Sequence, residues 1–329
     1  MTTPIASSCR WARPLIGAIA ALCIATAASA GAPQQKGQAP GWYRLQLGEF
    51  EVTALNDGAL RVDPKLLQNI TPKELAAALD RTYQTAPMVT SVNAFLINTG
   101  SKLVLVDTGA GALSGPTVGQ LVSNLKAAGY QPDQVDDILI THMHGDHLGD
   151  IALDGKMSFP NATIHVDKRE SDHWLSKENL EKAPAAMKAF YQGPQTVAAP
   201  YVAAGKWQPY ETEAEIVPGI KPVSYGPIPG HTPGHEGYLV ESGGEKLLVW
   251  GDIVHFAAAQ FAKPTITIAY DSDPKHALQT REKLFAQLAK DRTLVAAAHI
   301  SFPGLGHVRK EGAAYAWVPV IYQPASSAK

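Results

Sequence analysis

The chain has 329 residues, 45% hydrophobic and 18% charged, with 28 lysines and arginines against 30 aspartates and glutamates. That composition is ordinary for a soluble globular protein, and the length allows one large domain or two small ones. No basic run is present, which argues against a nucleic-acid partner, and past the N-terminus no apolar stretch reaches bilayer length.

The first thirty residues read as a secretory signal. "MTTPIASSCRWARP" carries Arg10 and Arg13 and no acid, "LIGAIAALCIATA" is a short apolar run, and "ASA" ends at Ala30 as a small-residue cleavage site. The expected location is therefore the bacterial periplasm or beyond, with no membrane anchor after cleavage. A lipid anchor at Cys23 is disfavoured because Leu22 stands where a small residue is needed. Both cysteines, Cys9 and Cys23, fall inside the signal, so a chain starting near Gly31 has no disulfide and no thiolate ligand. Removing Arg10 and Arg13 leaves 26 basic against 30 acidic residues.

Residues 31–41, "GAPQQKGQAPG", are a Pro/Gly/Gln-rich leader, expected to be disordered or draped on the surface. A single domain is expected over 42–329. Strands follow in "YRLQLGEFEVTALND", "SVNAFLINTG" and "SKLVLVDTG", the last two joined by an "NTGSK" hairpin turn. The spacing of Val118, Leu121 and Leu125 predicts a helix over 115–130, closed by Gly129. "VDDILIT" is a strand, "ATIHVDKRESDHWL" a strand then a helix, and 176–206 helical with loops. "AEIVPGIKPVSY", "GYLVESGG", "KLLVWGD" and "TLVAAAH" read as strands, with a helix in "DPKHALQTREKLFAQLAK". The alternation predicts one α/β domain with packed sheets.

"THMHGDH" places His142, His144, Asp146 and His147 in a loop after an apolar strand. Alternate residues of an extended loop point the same way, so His142 and His144 can share one ion. Asp146 and His147, past the turn at Gly145, can face a second. Imidazole with carboxylate suits zinc and its first-row neighbours, whereas magnesium and calcium prefer all-oxygen sites. Further donors stand in or just after apolar strands: His231 and His235 in "PGHTPGH", Asp252 in "LLVWGD", His299 in "LVAAAH". Each alone reads more often as a satisfied polar residue than as a ligand.

Taken in order, "THMHGDH", "PGHTPGH", "GD" and a late strand-end histidine resemble the motif series of the metallo-β-lactamase superfamily, from about residue 42 onward. The resemblance implies an αββα sandwich of two mixed β-sheets with a dinuclear site at one edge. It implies that His142, His144 and His231 hold one metal, that Asp146, His147 and His299 hold the other, and that Asp252 bridges them. His235 becomes a supporting residue, and Asp107 in "VDTG" buttresses the loop. "VTALNDG", "TSVNAFLINTGSKLVLVDTGAG", "NLKAAGYQPDQVDDILITHMHGDH", "DKRESDHWLS" and "HISFPGLGHVRKEG" resemble the methyl parathion hydrolase group, exported enzymes related to acyl-homoserine lactonases. That group is often dimeric, which implies a homodimer.

The implied chemistry is direct attack by a hydroxide shared between two divalent ions, zinc first, with manganese, cobalt or iron also fitting the donors. Asp252 and Asp146 are then the candidate catalytic carboxylates, and the expected substrate is a small-molecule ester: a lactone or aryl ester, or else an aryl phosphotriester. A cysteine-ligand β-lactamase is excluded by the cysteine-free mature chain, and Asp252 argues against the others. Export argues against a hydroxyacylglutathione hydrolase. A non-catalytic metal scaffold would lack a ligand, and none of the seven is missing. The expected pocket comprises Ser114, Trp174, Phe190, Tyr191, His255 and Tyr270. Ser114 replaces an aromatic residue of the resembled enzyme, and His255 and Tyr270 replace leucines, which favours a substrate with its own hydrogen-bonding groups.

Overall fold

The computed structural model describes residues 32–211, 214–226 and 229–323. The proposed signal falls outside the described residues. Residues 32–40 are exposed and carry no regular structure, and the packed unit begins at Ala39.

Two mixed sheets form the centre. The first has seven strands in the order β1 (Trp42–Leu47), β2 (Phe50–Val62), β4 (Met88–Asn98), β5 (Leu103–Val106), β6 (Asp137–Ile140), β9 (Thr163–Asp167) and β10 (Trp207–Tyr210). Its first four strands are antiparallel, and β5, β6, β9 and β10 run parallel. The second has six, in the order β11 (Ile220–Ser224), β12 (Glu236–Ser242), β13 (Glu245–Val249), β15 (Leu294–Ala296), β16 (Leu305–Glu311) and β17 (Ala314–Pro319), with β13 and β15 parallel. Two short pairings complete the strands: β3 (Leu67–Gln68) with β14 (Thr267–Ile268), and β7 (Ala152–Leu153) with β8 (Lys156–Met157).

The unbroken apolar runs of β5 and β6 follow from burial on both faces. Leu105, Ile138 and Ile140 turn outward to a cluster containing Leu125, Trp174 and Tyr201, residues of α2 (Leu121–Ala127), α4 (Lys168–Trp174) and α6 (Lys188–Ala203). Val104, Val106 and Leu139 turn inward to meet Tyr238, Val240, Leu247 and Ala296 of the second sheet. On that sheet's far face, Leu248 and Val295 pack with Phe285 and Leu288 of α8 (Pro274–Asp291). Helix, sheet, sheet and helix thus stack as the αββα sandwich.

The helix expected over 115–130 is confined to α2. Gly115 and Gly119 take φ of 94° and 86°, and the Asp57 carboxylate draws the Gly119 and Leu121 N–H groups into a loop. Besides the two-residue strands and the four-residue helices, four elements are not anticipated from the sequence. One is α1 (Pro72–Arg81), although "TPKE" is a capping box in which Thr71 and Glu74 exchange hydrogen bonds. The others are β10 and the β16–β17 hairpin. The remaining helices are the short α3 (Gly145–Leu148), α5 (Lys177–Lys182) and α7 (Ala257–Gln260). No described helix is long and apolar enough to cross a membrane.

Candidate metal centre

Segments leaving the C-terminal ends of β5, β6, β13 and β15 converge at one edge of the sandwich, carrying Asp107, His142, Asp252 and His299. Rigid strands with ligands on the loops beyond them are the usual way to place chemistry. His144 keeps an extended backbone, φ −69° and ψ 152°, before the chain turns into α3. His142 Nε2 and His144 Nδ1 therefore lie 3.0 Å apart, and His231 Nε2 stands 3.2 Å from each. These edges are slightly shorter than the roughly 3.3 Å of a tetrahedral zinc site with Zn–N bonds of about 2.0–2.1 Å.

Asp252 faces two ways. Its Oδ2 lies 3.3 Å from His231 Nε2 and 3.6 Å from His142 Nε2, while Oδ1 lies 3.1 Å from His147 Nε2 and 3.3 Å from His299 Nε2. Asp146 Oδ2, one-fifth exposed, is 3.4 Å from His299 Nε2 and 3.9 Å from His147 Nε2. The donors thus fall into two groups: His142, His144, His231 and Asp252, then Asp146, His147 and His299. His147 Nε2 and Asp252 Oδ1 are buried with no hydrogen-bond partner. Such orphaned atoms are costly unless an ion takes them up, so the donor set fits two divalent metals.

The outer ring nitrogens are tied. His147 Nδ1 is 2.8 Å from Asp107 Oδ2, His231 Nδ1 2.8 Å from Asp271 Oδ1, and His299 Nδ1 2.8 Å from the Ser91 carbonyl. His142 Nδ1 meets Thr141 Oγ1 at 3.1 Å, and that hydroxyl donates to Asp107 Oδ2. An N–H committed outward leaves the inner nitrogen's lone pair for a metal. Asp107 also accepts from the Thr141 N–H and adopts a left-handed φ of 58°, a conformation these bonds hold in place.

The electrostatics match a cation site. Burial and neighbouring imidazoles push His142 and His144 well below the ordinary histidine range. Burial opposes charge on His231 too, but Asp252 and Asp271 outweigh it and raise the pKa to about 9. His147 is likewise held well above its usual range, because Asp252, Asp146 and Asp107 overcome burial. Asp252 is held well below its usual range despite burial, by the surrounding histidines.

Three supporting carboxylates escaped the sequence reading. Glu170 accepts from the Met143 N–H and the Trp174 Nε1–H on one oxygen and from the Gly234 N–H on the other, stitching the two histidine loops together. Asp57 accepts from the Ala110, Gly119 and Leu121 N–H groups and shapes the loop after Asp107. Asp271 fixes His231. His235 sits beside the set, its Nε2 accepting from the Asp252 N–H at 2.9 Å. Gly251 must be glycine, since at φ 62° a Cβ would come within 2.4 Å of that Nε2.

A cavity of about 530 Å³ opens onto the donors. His144, Asp146, Asp252 and His299 form its polar end; Leu60, Val62, Leu113, Ala189, Phe190 and Pro194 form its apolar end. Ser114, Phe190, His255 and Tyr270 line it as expected from sequence, whereas Trp174 and Tyr191 do not. Trp174 is buried, bonds Glu170 and meets the His144 ring in a T-shaped contact, and Tyr191 packs against Trp174 with its hydroxyl 3.0 Å from His173 Nε2. These two aromatics form the layer behind the wall. Tyr270 is a neutral phenol, because burial and the charges of Asp146, Asp252 and Asp271 push its pKa far above the usual range.

Fold and donors define a class: αββα proteins with a His/Asp metal site at the sheet edge. Residues 87–299 match the metallo-beta-lactamase superfamily, and the chain belongs to it as a hydrolase. Among solved structures it is similar to the hydrolase AbOPH of the beta lactamase superfamily, at 39% identity and a TM-score of 0.83 over 88% of this chain and 100% of that one. It is also similar to AidC, a dizinc quorum-quenching lactonase bound to its product N-hexanoyl-L-homoserine, at 27% identity and a TM-score of 0.79 over 86% and 99% of the two chains. The N-acyl homoserine lactonase AiiA of Bacillus thuringiensis subsp. kurstaki is 25% identical over 62% of this chain and 79% of its own.

Proposed function

We propose that the protein hydrolyses lactones bearing an apolar acyl chain, with two zinc ions held by His142, His144 and His231 and by Asp146, His147 and His299, and bridged by Asp252. The observation that carries this reading is the cavity, whose one end is the donor set and whose other end is apolar. Bound there, two ions would activate a water and polarise the ester carbonyl.

The chain's own residues do the rest. Asp107, Asp271 and the Ser91 carbonyl hold the outer ring nitrogens of His147, His231 and His299 and so turn the inner nitrogens toward the ions. Leu113 and Phe190, among the largest exposed apolar side chains, offer a surface for an acyl chain and exclude water from it. Ser114 and the neutral Tyr270 hydroxyl offer hydrogen bonds to the polar part of the substrate. The lactonases AiiA and AidC support the substrate class, and AidC's dizinc centre supports the metal. Export is part of the proposal and rests on the N-terminal sequence alone.

A second reading, aryl phosphotriester hydrolysis, is favoured by the same Leu113 and Phe190 wall, which would take an aryl ring; the polar Ser114 and Tyr270 oppose it. The test is kcat/KM of the zinc-loaded protein on an acyl-homoserine lactone and on methyl paraoxon. A hundredfold preference for the lactone, about 2.7 kcal/mol of transition-state stabilisation, is expected. A preference for the phosphotriester would overturn the first reading in favour of the second.

A further inference from the structure

His255 is a buried imidazole beside the donor set whose two ring nitrogens have no hydrogen-bond partner. Its ring stacks on His299 at 5.6 Å and 21°, and lies 4.8 Å from that of His231, so it touches one histidine of each metal group. Its Nε2 is 3.0 Å from Asp252 Oδ2, the oxygen turned toward His142 and His231, but without the alignment of a hydrogen bond. A buried imidazole with both nitrogens unpaired is costly, unless a ligand absent from the polypeptide takes one of them.

The position is built, not slack. Gln260 Oε1 accepts from the N–H groups of His255 and Phe256, both at 2.8 Å, and Gln260 Nε2 donates to the Ile266 carbonyl. Thr90 Oγ1 lies 3.1 Å from the His255 carbonyl. Arg281, itself buried, donates to the carbonyls of Ile253, Pro264 and Ile266, pinning both ends of the segment that carries Asp252 and His255. His255 also shares its orphaned state with His147 Nε2 and Asp252 Oδ1, both atoms of the donor set.

We propose that His255 is an eighth donor of the centre, giving Nε2 to the ion held by His142, His144, His231 and Asp252 and raising by one the number of ligands on that ion. This inference rests on the dinuclear reading. Zinc and cobalt both accept a fifth ligand, and a neutral imidazole adds one without adding charge.

The test loads wild type and His255→Leu with cobalt(II) and reads three quantities: cobalt per chain, visible d–d absorption, and affinity by chelator competition. Cobalt(II) absorbs more strongly the fewer its ligands, four-coordinate above five-coordinate and five-coordinate above six-coordinate. The expected result is two cobalt ions in wild type, a stronger d–d band in His255→Leu, and an affinity at one site at least tenfold weaker. An unchanged band overturns the proposal whatever the affinity does, because His255 would then act on Asp252 or on packing alone, and the dinuclear reading would stand. Fewer than two ions in wild type overturns the dinuclear reading itself, and the proposal with it. Matching melting temperatures of the metal-free proteins rule out misfolding; if they differ, His255→Phe, a flat ring with no donor atom, is read by the same criteria.

Discussion

Asp107 Oδ2 lies 2.8 Å from His147 Nδ1 and at the same distance from Thr141 Oγ1, so one carboxylate oxygen orients residues that serve both metal groups. Through Thr141 it reaches His142, and directly it fixes His147. The metals would therefore share a single buttress.

Replacing Asp107 by alanine should weaken metal binding about 10–100-fold, the usual cost of losing a residue that orients a metal ligand. Chelator competition with cobalt or zinc measures it. An affinity within twofold of wild type would show that the His147 ring is held without Asp107.

Asp150 gives a pH dependence outside the donor set. Burial, with Asp57 adding, raises its pKa to about 7, and its Oδ2 has no hydrogen-bond partner. A carboxyl whose folded pKa exceeds its unfolded value of about 3.9 contributes stability that is full below about pH 4 and lost as pH rises through about 7. Asp150→Asn cannot ionise, so its melting temperature relative to wild type should climb between pH 4.5 and pH 8, by about 5 °C. A difference independent of pH would mean that Asp150 is not held protonated in the folded protein.

Phe190 should set acyl-chain preference. Its side chain lines the apolar end of the cavity and is 39% exposed when no substrate covers it. Phe190→Ala should lower kcat/KM for a long-chain lactone by about 5–30-fold, some 1–2 kcal/mol of lost apolar contact, and barely alter a short-chain one. Equal losses on both chain lengths would place Phe190 in packing and not in recognition.

How much of this was legible in the sequence depended on how local each signal is. The seven candidate donors were readable because ligand types stand at fixed offsets beside apolar strands, and the structure brings their seven side chains together. The two-faced burial of β5 and β6 was readable from their unbroken apolar runs. Glu170, Asp57, Asp271 and Arg281 were not, because each works mainly through partners 15 to 64 positions away: Asp57 joins backbone at 110, 119 and 121, and Arg281 grips carbonyls at 253, 264 and 266. A charged residue in sequence gives no sign that it will be buried. Trp174 and Tyr191 failed for the related reason that a helix-face aromatic can turn to the cavity or away from it, and Glu170 and His173 turn these two away. The helix α1 could have been found from its capping box, a signal complete within four residues.

The central claim is a two-metal centre spanned by Asp252, and metal content tests it most directly. Elemental analysis of the purified protein and of Asp252→Ala should give two zinc equivalents in the first and at most one in the second, with lactone hydrolysis at least a thousandfold lower in the variant. One equivalent in the wild type, or two equivalents and undiminished hydrolysis in Asp252→Ala, would contradict it.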